Sequence, residues 1–80
     1  MAPVDELAEN LAERALTASK EQQDRTIIEK VSKALGDSSQ TMQEAFLTAV
    51  RLRMAAERGH ATLDAILKGK EVNNLDNPDL

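Results

Sequence analysis

His60 is the single histidine of a chain that has no cysteine and no tyrosine, so it is the one side chain that ordinarily titrates near neutral pH. It follows Gly59 beside an apolar helical stripe, where a proton gained in mild acid would alter a helix contact. The plainer expectation is a boundary histidine with no special role. Arg51, Arg53 and Arg58 form the local basic cluster that a small nucleic-acid-associated regulator would use. Helical spacing spreads them over more than one side and sets Glu57 among them, the pattern of solvated, acid-paired charges. Asp5, Glu6, Glu9 and Glu13 line the polar face of an N-terminal helix, and Asp76 and Asp79 fall short of a calcium loop, which needs ligands through twelve ordered positions. With no thiolate, no second histidine and no glycine-rich phosphate loop, the chain is expected to be no enzyme and to hold no metal, cofactor or small-molecule substrate.

Charge and hydropathy narrow the partners. A net charge of −4 and a pI near 4.9 speak against general nucleic-acid binding, because neutralising phosphates requires a basic face. No apolar run approaches the ~20 residues of a membrane span, and MAPVDELAEN lacks the charged-then-apolar pattern of a signal peptide. A small acidic cytoplasmic protein is the expectation.

Eighty residues make one domain, and a core of that size seldom supplies more than ~3–5 kcal/mol. No disulfide can add to it, and Phe46 is the sole aromatic residue. Oligomerisation or a bound partner is the expected supplement.

These residues must be positioned by helices. From Ser39 to Lys68 an apolar or glycine residue recurs at alternating spacings of three and four: Met42, Ala45, Ala49, Leu52, Ala56, Gly59, Leu63 and Ile66. Phe46, Val50 and Leu67 widen the stripe along one edge. Gly59 has no capping residue beside it, so one continuous helix over 39–68 is expected, closed by Lys68 and Gly69. Ala45, Ala49, Ala56 and Gly59 leave room for a partner helix to approach closely.

Upstream, Pro3, Asp5 and Glu6 suit a helical first turn, and Val4, Leu7, Ala8, Leu11, Ala12, Ala15 and Ala18 share a face, giving a helix over about 3–18. The stretch from Thr17 to Thr26 has no large apolar residue. Ile27, Ile28, Val31, Ala34 and Leu35 then form a second stripe out of phase with the first, which favours a turn near 18–21 and a second helix over about 20–35, the alternative being one unbroken helix over 3–35 that contacts different partners at its two ends. Ser19 with Gln22, or Thr26 with Glu29, offers its cap. Gly36 is expected to end that helix, and Asp37 with Gln40, or Ser38, to start the next. A connection this short folds the second helix back on the N-terminal half of the long one.

The expected fold is therefore all-α, a helical hairpin or three-helix unit over 1–70 dominated by one long C-terminal amphipathic helix and completed by oligomerisation. Residues 71–80 are expected to be a mobile acidic tail, the alternative being that Val72, Leu75 and Leu80 dock in a partner's groove. The interaction seam comprises Met42, Ala45, Phe46, Ala49, Leu52, Ala56, Gly59, Leu63 and Ile66, and the facing surface Leu7, Leu11, Ile28 and Val31. The expected function is protein–protein interaction, with a second copy or another helical protein as partner. A self-assembling structural subunit is the alternative. In architecture alone the chain resembles the helical hairpins of small bacterial secretion-needle subunits, whose turns are typically rich in Pro and Asn, whereas here the residues are Gly36, Asp37, Ser38 and Ser39.

Overall fold

The computed structural model describes residues 3–73, with side chains through Gly69. Three helices follow one another, α1 (Val4–Gln22), α2 (Thr26–Ser38) and α3 (Gln40–Asn73), and the described residues contain no strand. Pro3 sits just before α1, where its extended backbone leaves its carbonyl to accept from the Leu7 amide at 3.1 Å.

The first turn falls later than the composition suggests. α1 continues to Gln22, and the break is made by Gln23, which takes the left-handed conformation at φ 53°. Its amide donates to the Lys20 carbonyl at 3.3 Å, and the Asp24 amide donates to the Ser19 carbonyl at 3.0 Å. These two bonds form a Schellman motif, which glycine usually closes. Ser19 therefore lies inside α1 and caps nothing; its hydroxyl donates back to the Asp24 carbonyl at 2.9 Å. The Asp24 carboxylate accepts from the Thr26 amide at 2.9 Å and the Thr26 hydroxyl at 2.6 Å, so α2 begins at Thr26 rather than near residue 20. These two bonds, the hydroxyl's first, stabilise the ionised form and hold the Asp24 carboxyl below its ordinary range.

The second turn is shorter than expected. α2 passes through Gly36 and Asp37 to Ser38, and Ser39 alone is extended. The Ser39 hydroxyl accepts from the Met42 amide at 3.1 Å, so the α3 cap is Ser39 and neither Asp37 nor Ser38. Gly36 serves close approach rather than helix termination, since a β-carbon there would lie 2.6 Å from Gln43 Nε2. That nitrogen donates to the Ser32 carbonyl at 2.9 Å and to the Ser32 hydroxyl at 3.3 Å, pinning the start of α3 onto α2.

With α2 running back between them, α1 and α3 are parallel. Their alignment is marked by an ion pair between Glu13 and Arg53 at 3.6 Å and another between Lys20 and Glu57. Both pairs are exposed, so each contributes less than ~1 kcal/mol. The core is Ala12, Ala15, Phe46, Ala49 and Val50, with Leu11, Leu16, Ile28, Val31, Leu35 and Leu47 packed around it. Alanines on α1 bring its backbone close to α3, and Phe46, fully buried, fills the space among the three helices.

α3 does not stop at Lys68 and Gly69 but continues to Asn73. At 1.5 Å per residue it is about 50 Å long against about 28 Å for α1. The molecule is correspondingly elongated, 55 × 28 × 17 Å. The tail positions Leu75, Asp76, Asp79 and Leu80 lie outside the described residues, as does the side chain of Val72.

Candidate helix-docking face

The expected seam divides in two. Phe46 and Ala49 are buried, Met42 and Ala45 are partly covered, and Leu11, Ile28 and Val31 of the facing surface pack around the core. Leu7, also expected to face the seam, is 47% exposed. From Met54 to Gly69 every residue of α3 is exposed: Ala56 borders α1 across a groove without being buried, and Gly59, Leu63 and Ile66 are exposed beyond it.

The reason is angular as well as longitudinal. On a wheel of ~100° per residue, the buried Phe46, Ala49 and Val50 centre an arc roughly 100° round from the line through Ala45, Leu52, Ala56 and Gly59. The covered face is thus the edge that Phe46 and Val50 were expected only to widen. Leu52, within the bundled length, points away from the core and is 67% exposed. Leu63, Ile66 and Leu67 continue its stripe at 51%, 45% and 50% exposure.

Beside this stripe lies a groove of about 310 Å³ between α1 and α3. Ala45, Ala49 and Leu52 form an apolar floor, Thr48 lies at its side, and Asp5, Glu9 and Glu44 rim it. Sequence reasoning placed these carboxylates on a plain polar face; only the parallel pairing of α1 with α3 puts Asp5 and Glu9 opposite Glu44. A second groove, lined by Glu13, Leu16, Thr17, Lys20, Arg53, Ala56, Glu57 and His60, holds the two ion pairs. His60 is exposed there. Arg53 reaches Glu13, while Arg51 and Arg58 are exposed on another side of α3, so the three arginines do not converge.

Among the described residues no group of three or more His, Asp or Glu side chains is placed to hold a metal ion, and no buried polar side-chain atom lacks a partner. No described helix is long and apolar enough to cross a membrane. What this face offers chemically is apolar area on a helix, with acidic groups along one margin. Compared with family models, curated proteins and solved structures, the chain gives no match.

Proposed function

We propose that this chain is a non-enzymatic protein–protein interaction module, in which a small bundle holds out the second half of α3 as a docking helix. One observation carries the proposal: Leu63, Ile66 and Leu67 lie exposed on a helix that no other described element accompanies. A lone helix of ~12–15 residues is marginal in water, so this segment gains most of its order from whatever covers its apolar side. A partner helix laid along Leu52, Ala56, Gly59 and Leu63 meets a leucine at each end and small residues between them.

Limited proteolysis tests this. In the dilute free chain, trypsin should cut after Arg58 and Lys68 at least ~10-fold faster than after Arg14 or Lys33 in the bundle, because cleavage follows local opening. A bound partner should protect the two distal sites. Distal sites that resist trypsin as well as the bundle does, in a chain shown to be monomeric, would overturn the proposal.

A further inference from the structure

We propose that the acid-rimmed groove between α1 and α3 binds an apolar helix of another protein whose margins carry lysine or arginine. The proposal goes beyond the docking helix, because the groove lies along the bundled length of α3 and shares only Leu52 and Ala56 with that stripe.

The α1–α3 pair has two flanks, and α2 occupies one. Gln43 donates to Ser32 of α2, Arg53 and Glu57 reach α1, and Ala45 and Leu52 lie roughly 170° round α3 from Gln43. Ile28, Val31 and Leu35 of α2 cover the first flank, whereas no described element covers the second. That open flank has the shape of a helix seat. The groove of about 310 Å³ floored by Ala45, Ala49 and Leu52 runs on into one of about 230 Å³ that adds Arg53 and Ala56. From Glu44 to Ala56 is about 18 Å of α3, just over three helical turns. A fourth helix laid there would rest on α1 and α3 at the usual ~8–10 Å between axes, and would cover Leu52, which is 67% exposed within the bundle.

Charge states what that helix carries. Of the residues lining the larger groove, Asp5 and Glu9 on α1 and Glu44 on α3 are acidic, and none is basic. The described ion pairs between α1 and α3 lie further along, where Glu13 holds Arg53 and Lys20 holds Glu57. The three carboxylates stand on both banks of an apolar floor and, among the described residues, are not grouped to hold a metal ion. Separate side-chain cations answer such an arrangement. Lysine and arginine lay their stems along apolar surface and reach outward with the charged head, so a helix with an apolar face and basic margins meets floor and rim together. Apolar contact then supplies most of the affinity, and the exposed charge pairs select the partner.

The test uses the full chain and a labelled synthetic peptide of ~15 residues, with leucine at the a and d positions of each heptad and lysine at e and g, beside a counterpart with glutamate for every lysine. In anisotropy titrations at low salt the lysine peptide should bind at least ~10-fold more tightly than the glutamate peptide. Glu9→Lys with Glu44→Lys should weaken the lysine peptide at least ~10-fold, whereas Glu29→Lys with Asp37→Lys, an equal change of net charge on α2, should alter it less than ~3-fold. All of these positions are exposed, so both variants should keep the parent's circular dichroism. Equal loss in the two double variants would mean attraction to net charge alone and would overturn the groove. A glutamate peptide that binds as well as the lysine one, or a lysine peptide that fails to bind at about 1 mM, would overturn it too. If the parent sediments as a dimer that Leu52→Glu dissociates, a second copy fills the groove and the basic partner is wrong. The trypsin comparison at Arg58 and Lys68 decides the docking helix separately, whichever way the peptides behave.

Discussion

The two halves of α3 have similar apolar content and opposite surroundings. Between Met42 and Arg53 the helix is flanked by α1 and α2, and Phe46, Ala49 and Val50 disappear from solvent. Between Met54 and Gly69 the same kind of side chains stand in water. An amphipathic pattern records that a face has a use, and the lengths of the neighbouring elements decide who covers it. Here α1 reaches Glu57 only through its Lys20, and α2 ends beside the start of α3.

The contrast is broken most directly at its buried end. Phe46→Ala should cost ~3–5 kcal/mol, comparable with everything a core of this size provides, and so abolish a cooperative thermal transition by circular dichroism. Leu63→Ala in the dilute chain should change stability by no more than ~0.5 kcal/mol. Equal effects would erase the distinction between the halves.

Overpacking the α1–α3 contact comes next. Ala12 is fully buried, and Ala12→Leu should destabilise the bundle by ~1–3 kcal/mol in urea unfolding, by wedging α1 away from α3. Ala18→Leu, at a half-buried site near the end of α1, should cost less.

At the first turn the sign reverses. Gln23 holds a left-handed backbone that glycine adopts freely, so Gln23→Gly should stabilise the bundle by up to ~1 kcal/mol despite glycine's greater freedom when unfolded. A loss of stability there would contradict the turn geometry.

The smallest effect is acidic. The Asp24 carboxyl titrates lower in the folded chain than in the unfolded one, so its contribution is complete above the ordinary carboxylate range and is lost as pH falls through the folded value. Thermal stability between about pH 5 and pH 3 should therefore fall less in Asp24→Asn than in the parent. Identical pH profiles would remove the Asp24–Thr26 bonds as a source of stability at the start of α2.

Much of this fold is legible from periodicity. The all-helical class and the stripe along α3 follow from apolar spacing, and the loss of phase between residues 18 and 27 favours three helices over a hairpin without deciding between them. The turns are less legible, for local reasons. Gln23 does the work of a glycine, which hides the first break, while Gly36 sits inside α2 with the Gln43 side chain against it rather than ending the helix. Nor does a wheel tell which edge of a wide stripe is buried. Phe46 decides that, since its ring fills the space among three helices and turns Leu52 outward. The acid-rimmed groove depends on α1 and α3 being parallel, which no single segment encodes.

Amide hydrogen exchange along α3 in the dilute chain tests the central claim most directly. If bundle and docking helix are energetically separate, amides from Leu63 to Lys68 should exchange at least ~100-fold faster than those from Phe46 to Val50, the equivalent of ~3 kcal/mol between local and global opening. Uniform protection from Phe46 to Lys68 in a monomer would mean that the distal half needs no partner, and would contradict the account.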